Sequence, residues 1–324
     1  MQVFLHLPEK YLPDAARQEA WKSGTITKLE EGGKAASAQA WIYQTWMELR
    51  KTGCAVELTH DLPDRGILIT LAGCVGTSFR PGPDLFFADI VADGLPHPGA
   101  HLHIVQNAVH ARQLPRAVYL PHWPHPNLLP RDPARGDRFE NLGFFGDAAN
   151  LAPALRDPSW RQQLRDETGL NLRVVSADHW HDYREMDGIL GIRDWGHRPW
   201  LRKPATKLYN AWLAGAPFIG GMDSAYQADG RPGENYLAAA TLAELDGHLR
   251  RLKNDPDLRH RLVAAGTAAV RSFRREAITH RWKTLVESTL PGAAARWARR
   301  SAPARALFWK TQAVFAWVDR RFRN

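Results

Sequence analysis

The stretch Lys203-Pro204-Ala205-Thr206-Lys207-Leu208-Tyr209-Asn210-Ala211-Trp212-Leu213-Ala214-Gly215-Ala216-Pro217-Phe218-Ile219-Gly220 restricts the fold more than any other part of the chain. It reads as a charged loop, then a helix, then a buried strand, the order in which α/β folds hold phosphates. Pro204 and Thr206 suit a helix start. Leu208, Ala211, Trp212 and Gly215 fall on one face, and Gly215 with Pro217 stops the helix before the apolar Phe218-Ile219. Lys203 and Lys207 therefore stand at the positive end of a helix dipole, where free backbone N–H groups can bind an anion.

The rest of the chain repeats this alternation. Val3 to Leu7 is a predicted strand, followed by an irregular stretch to Gly32-Gly33 and a helix from about 35 to 52 with Ile42, Tyr43, Trp46, Met47 and Leu49 facing a core. Short apolar strands are predicted at 54–58, 67–71, 85–91, 103–106 and 117–120. Prolines 121, 124, 126 and 130 then exclude a helix or a central strand, which places a linker between 121 and 137. A new strand at 140–147, a helix near 158–168, a strand at 172–176, a short helix at 183–187, a strand at 188–192 and helices near 241–253 and 256–272 follow. The expected architecture is α/β, with two Rossmann-like, doubly wound domains facing across a cleft. Residues 1–130 are expected to form a first domain, 131–285 a second and 286–324 a tail.

A chain of 324 residues is about twice a typical domain, in keeping with two. The net charge of +9 is concentrated at one end. Residues 271–324 hold 13 Lys and Arg against 3 Asp and Glu, while residues 1–270 hold 30 against 31. A neutral body with a basic tail argues against a nucleic-acid groove spread over the fold and for a local anionic surface. Between 305 and 323, Leu307, Val314, Val318 and Phe322 share a face flanked by Lys310, Arg320 and Arg321. This basic amphipathic pattern suits an anionic membrane surface, reached through 296–324. The opposing reading is a terminal helix that packs on the first domain. The 13 tryptophans fit either sugar contact or core filling. Cys54 and Cys74 read as two buried free thiols without a disulfide framework. The first residues lack a basic signal-peptide region, and no apolar run reaches the ~18 residues of a spanning helix. The expected location is cytoplasmic, with the tail resting on the inner face of the membrane.

Several segments, taken in order, resemble GT-B glycosyltransferases. Gly32-Gly33, the helix after it and Cys54-Ala55-Val56-Glu57-Leu58 are similar to that family's acceptor-side glycine loop, helix and second strand. Leu142-Gly143-Phe144-Phe145-Gly146 resembles the strand and glycine turn that open the donor domain, Glu185 to Arg193 resembles the segment ahead of the donor signature, and Lys207 to Gly220 resembles the signature itself. The resemblance implies an acceptor-side role for residues 1–130, a donor-binding role for 131–285, a nucleotide-sugar donor as co-substrate, no separate cofactor and no metal. It places the diphosphate between Gly146 and residues 203–210, with Lys203, Lys207 and Arg193 on its oxygens and Thr206 at the helix start. Retaining members carry two glutamates around this helix, and here Lys203 and Asn210 occupy those positions, so the anomeric outcome stays open; the Asn210 amide could still bond a ribose hydroxyl. The same run also resembles bacterial α1,3-fucosyltransferases, inverting enzymes of this fold that use GDP-fucose.

An inverting transfer needs a general base near the acceptor hydroxyl. Glu31, beside the acceptor-side loop Gly32-Gly33, and His103 are the candidates carried forward, with Asp89, Asp93, His122 and His125 also available. Lys207 is the catalytic cation. Trp180 stands where this fold touches a nucleobase, and Ser224 and Tyr226 where it reads sugar hydroxyls; Asp223-Ser224 also fits a helix cap. The expected function is sugar transfer from a nucleotide donor to a hydroxyl of a cell-envelope glycan or lipid-linked saccharide. A sugar-nucleotide epimerase and a non-catalytic carbohydrate-assembly scaffold are the alternatives.

Overall fold

A computed structural model of the chain describes residues 1–23 and 33–322. Glu31 and Gly32 lie outside the described residues, and Gly33 opens a helix. The chain divides into two compact units. Among the described residues, one comprises 1–22, 33–121 and 276–322, and the other 122–275 together with Ser23.

The first unit begins with β1 (Val3–His6). The stretch expected to be irregular contains α1 (Ala15–Ser23), which forms because the Asp14 carboxylate accepts the Arg17 N–H and Trp21 packs edge-on against Tyr43. The helix expected over 35–52 is one rod in three pieces: α2 (Gly33–Ala38), a wider π turn over Gln39–Tyr43, and α3 (Gln44–Lys51). The π turn buries Trp41, Ile42 and Tyr43 consecutively, which a regular helix would splay around its circumference. The strands β2 (Val56–Thr59), β3 (Gly66–Leu71), β4 (Leu85–Ile90), β5 (Leu102–Val105) and β6 (Ala117–Tyr119) follow, with α4 (Ala108–Gln113) between the last two. All pair in parallel, in the order β2-β1-β3-β4-β5-β6. Every residue of β3, β4 and β5 is buried, as parallel strands covered on both faces must be.

The second unit holds β7 (Asn141–Phe145), α5 (Pro153–Arg156), α6 (Pro158–Thr168), β8 (Asn171–Val175), β9 (Gly188–Gly191), α7 (Thr206–Ala214), β10 (Phe218–Gly220), α8 (Ser224–Asp229), β11 (Leu237–Ala238), α9 (Leu242–Asn254) and α10 (Pro256–Ala269). Its parallel sheet runs β11-β10-β9-β7-β8. Side-chain alternation divides the core in two. Leu142, Phe144, Leu190, Ile192 and Ile219 point to the face covered by α6, α9 and α10. Phe145, Ile189 and Phe218 point to the face covered by Leu208, Tyr209, Ala211 and Trp212 of α7. No helix covers 183–187, where one was expected; that segment is a turn, with the Met186 N–H on the Tyr183 carbonyl.

The chain then returns to the first unit through α11 (Arg275–Thr284), a π turn over Leu285–Thr289, α12 (Leu290–Ala298) and α13 (Ala302–Phe322). This corrects the reading of 286–324 as a separate tail. Trp282 is fully buried edge-on against Trp41, and Trp297 and Phe308 close around His101 at ring separations of 4.3 and 5.8 Å. The Gln312 amide donates to the Ala100 carbonyl. Burial, aided by Arg116, Arg300 and Arg305, drives the His101 pKa down to about 3, so this imidazole is neutral and serves as a core ring. Many of the tryptophans do the same: Trp21, Trp41, Trp123, Trp160, Trp212, Trp282 and Trp297 are all buried. Cys54 is buried, but Cys74 is only half-buried, and both thiols are free. Among the described residues, no helix is long and apolar enough to cross a membrane.

The boundary after Pro121 precedes the expected one because the proline-rich segment is tied to the second unit. Leu129 exchanges backbone bonds with His181 and Tyr183, and the Arg131 N–H donates to the Ala214 carbonyl. Asp187, 1% exposed, completes the anchorage. Oδ1 accepts from Arg131 and Arg135, while Oδ2 accepts from Arg135 and from the backbone N–H groups of Glu140 and Asn141. Desolvation alone would raise the Asp187 pKa, but the bonds from Arg135, Glu140, Asn141 and Arg131 together hold it below the ordinary carboxylate value. A depressed folded-state pKa contributes stability that is present above the unfolded pKa and lost as pH falls through the folded one. Asp187→Ala is expected to cost about 3–5 kcal/mol by leaving two guanidinium groups and two N–H groups uncompensated. Urea unfolding at neutral pH measures the loss, which should shrink toward acid.

Candidate functional site

In an open parallel sheet, ligands bind beyond the carboxyl ends of the strands where the order reverses. In the second unit the chain moves from β7 outward to β8, then crosses to β9 on the other side. The reversal lies between β7 and β9. Gly146 follows the end of β7, and Arg193 comes two residues after β9. Both were picked from the sequence as donor-binding residues, and the topology brings both to this point.

The helix α7 supplies a third element. It starts at Thr206, with Ala205 as its cap residue and no side-chain cap bond, and it ends at Gly215, whose φ of 70° gives the left-handed turn expected there. Lys207, in the first turn, reaches back over the end of β7. A Cβ built on Gly146 would lie 3.0 Å from the Lys207 Nζ and 3.4 Å from its Cε, so glycine is what admits the ammonium. The same Nζ lies 5.1 Å from the centre of the Phe144 ring, which gives it an apolar and polarisable seat. Thr206 Oγ1 is buried without a hydrogen-bond partner among the described residues.

Arg193 is 9% exposed at its side chain and donates from Nε to Asp223 Oδ2 at 2.9 Å; Asp223 itself is 2% exposed. Burial pushes the Asp223 pKa up, opposed by Arg193 and by the nearby Lys207 charge. Asp223 occupies the cap position of α8, yet its side chain makes no cap bond. The sequence offered only the cap reading. The parallel register that sets Gly191 beside Gly220 was the signal that would have found the pair, since it brings the segments after β9 and β10 together.

The loop between β9 and α7 is fixed by its own side chains. Trp200 donates from Nε1 to Asp194 at 2.9 Å and carries the Arg198 guanidinium on its ring at 4.1 Å. Trp200 also holds a positive φ of 47°, a conformation costly for an aromatic residue that marks a constrained turn. The Lys203 N–H donates to the Trp200 carbonyl, which places Lys203, half-buried, in the turn before α7.

Other sequence-selected residues have different surroundings. Ser224 bonds the Pro199 carbonyl through both its N–H and its hydroxyl, fastening the loop. Tyr226 is fully buried edge-on against Phe218, with its phenol pKa raised by desolvation. Asn210, 6% exposed, uses Oδ1 to accept the His125 N–H at 3.0 Å. Trp180 is half-buried, with Nε1 on the Val175 carbonyl. His125 is also buried, and desolvation lowers its pKa to about 4, so its imidazole is neutral. These five belong to the walls and supports, while Gly146, Lys207 and Arg193 meet at the strand ends.

In the first unit, His103 is 3% exposed, and its Nδ1–H donates to Asp89 Oδ1 at 2.5 Å. Asp89 Oδ2 accepts the His97 N–H at 2.7 Å. The pair joins adjacent strands in register within a fully buried part of the sheet. A general base must come within hydrogen-bond reach of a substrate proton, and this imidazole is enclosed by its own sheet.

No known family model and no curated protein matches the sequence. Solved structures do match. Anabaena Alr3699/HepE in complex with UDP and glucose has a TM-score of 0.52 at 12% identity, covering 89% of this chain and 100% of that one. Sucrose-phosphate synthase (tll1590) from Thermosynechococcus elongatus has a TM-score of 0.50 at 13% identity over 85% of this chain and 80% of that one. The chain has the GT-B fold. A further GT-B structure, AviGT4, a glycosyltransferase involved in avilamycin A biosynthesis, has a TM-score of 0.50 at 14% identity over 82% and 92% of the two chains. At these identities the likeness carries the fold; within this GT-B chain, the site rests on its own residues.

Two glycines separate site from scaffold. A Cβ on Gly191 would lie 2.3 Å from Phe218 Cζ, so Gly191→Ala is expected to destabilise the protein by about 1–3 kcal/mol. Gly146→Ala should leave the melting temperature within a degree or two, because only the end of a flexible lysine must move. It should nonetheless weaken inorganic pyrophosphate binding, measured by calorimetry.

Proposed function

We propose that the chain is a glycosyltransferase that moves a sugar from a nucleoside-diphosphate donor to a hydroxyl acceptor. The observation that carries this reading is the Lys207 ammonium held over Gly146, with Arg193 at the neighbouring strand end and the uncapped start of α7 beside it. When the bond between the sugar carbon and the diphosphate breaks, negative charge builds on the departing phosphate oxygens. Cations and N–H groups fixed in advance stabilise that charge more in the transition state than in the ground state. Lysine contributes a compact point charge, arginine a planar fork of donors. The UDP and glucose in the HepE complex support a nucleotide-sugar as the class of donor.

This reading assigns the neutralising charge to the protein's own cations. Turnover should therefore survive chelation by EDTA, and activity that EDTA abolishes and magnesium restores counts against it. With His103 enclosed, Glu31 beside Gly32-Gly33 is the base we assign to the acceptor hydroxyl. Glu31→Gln should lower kcat by 100-fold or more and leave donor affinity unchanged.

A panel of UDP, GDP, ADP, TDP and CMP, with their sugars, tests the donor class. A ligand that binds only the folded state raises the melting temperature by mass action. One nucleotide should stand out, and Lys207→Ala should remove its shift along with turnover. Unchanged kinetics in that variant would discard the phosphate site.

The acceptor we infer is a cell-envelope glycan or lipid-linked saccharide, met at the cytoplasmic membrane face. The support is the basic C-terminal region, where Arg299 and Lys310 are exposed and Leu307 is 63% exposed. Deleting 296–324 is not a clean test, because Trp297 and Phe308 belong to the core. Instead, Arg299→Glu with Leu307→Glu should release the folded protein from phosphatidylglycerol vesicles in low salt. Binding that persists in this variant removes the membrane assignment.

A further inference from the structure

The cations Lys207 and Arg193 share their surroundings with a buried carboxylate, Asp223. On charge alone a carboxylate does not belong there, since it repels the diphosphate that the site is read to hold. Nor is it an inexpensive residue to bury: at 2% exposure its ionised form is disfavoured by desolvation, and Arg193 and Lys207 offset only part of that penalty. It is not spent on α8 either, because its side chain makes no cap bond. Its Oδ2 accepts from the Arg193 Nε at 2.9 Å.

That contact has a geometric effect. The guanidinium is planar, and a bond at Nε, close to where the group joins its aliphatic stem, restricts rotation of the plane. The terminal nitrogens are then presented in a set direction. The ring of Tyr226, packed on Phe218, brings its hydroxyl beneath Gly191, where an added Cβ would lie 3.0 Å away. The same phenol interacts with the Arg193 side chain, so the guanidinium is also held from the sheet side.

We propose that Asp223 is a positioning residue for the diphosphate site, holding Arg193 by Nε so that its terminal N–H groups and the Lys207 ammonium act on one anion. This rests on the nucleoside-diphosphate reading above. It adds a division of labour: Lys207 supplies charge, Arg193 supplies directed donors, and Asp223 gives up some of the site's attraction for anions in exchange for direction. Lysine at 193 would not replace arginine, because its one nitrogen cannot be held and donate forward through separate N–H groups in the same plane.

The test is calorimetric titration of the full chain with UDP, GDP and ADP, and with their nucleosides as phosphate-free controls. Asp223→Asn keeps an acceptor and removes the charge, whereas Asp223→Leu removes both. Positioning predicts that the leucine variant loses about ten- to hundred-fold in nucleoside-diphosphate affinity, the scale of a charged hydrogen bond. Nucleoside affinity should not move, and the asparagine variant, which loses only the repulsion, should bind the diphosphates at least as tightly as wild type. In an Arg193→Met background, Asp223→Leu should cause no further loss. This double variant also guards against misfolding, because no buried cation is left unpaired.

Equal or tighter nucleoside-diphosphate binding by the leucine variant would mean that the carboxylate acts only as a charge, and would overturn the proposal. So would an equal loss in the Arg193→Met background, or an equal loss of nucleoside binding. A wild-type chain that binds none of these diphosphates overturns the functional reading and this proposal together. Binding that ignores Asp223 overturns this proposal alone.

Discussion

The buried carboxylate of Asp187 fixes where the second unit begins. It stands at the amino end of β9, and its oxygens receive two arginines from the segment after the boundary and two N–H groups from the start of β7. A strand start has donors that no neighbouring strand satisfies, and buried donors without partners are costly. Asp187 satisfies them and captures the incoming chain in the same place. Since β7 and β9 are adjacent, their relative register is set at one end by this carboxylate, and at the opposite end the two strands deliver Gly146 and Arg193.

That division of the sheet into an anchored end and a working end explains the distribution of charge. At the amino end, opposite charges are matched and bonds are saturated. At the carboxyl end, Lys207 and Arg193 stand around the buried Asp223, with Asp194 also within electrostatic reach, beside a helix start that no side chain caps. Electrostatic interactions gain strength where water is excluded, so the same residues would do less on an open surface. Packing holds the arrangement: Leu208, Tyr209, Ala211 and Trp212 set α7 against the sheet, and the loop ahead of it is fastened by Asp194 and Ser224.

Local chemistry was the part of the molecule most legible in the sequence. The helix start at Thr206, its stop at Gly215 and the helix at 158–168 follow from residues within a few positions of each other. The apolar runs located the strands from β1 to β10 to within about two residues and missed the two-residue edge strand β11 (Leu237–Ala238). What failed was whatever depended on a distant partner. Asp223 looked like a cap until its partner 30 residues away was placed. That Asn210 accepts a backbone N–H 85 residues away through its Oδ1 was equally invisible. The turn at 183–187 reads as helical by composition, and only the demand for Asp187 at a strand start breaks it. The basic face of the C-terminal region was visible, whereas Trp297 and Phe308 gave no sign that they close around His101.

That closing of the first unit by the last helices has a consequence for how the protein is made. Trp41 is produced early, yet its partner Trp282 follows the whole of the second unit. On the ribosome, His122–Arg275 is the first unit to be complete in sequence, while the amino-terminal third waits with part of its core uncovered. The usual order, in which the amino-terminal domain folds first, is inverted here. A nascent chain of this kind needs protection for its early apolar strands, and a nonsense mutation as late as residue 280 would spare the proposed phosphate site while stranding the half that came off the ribosome first.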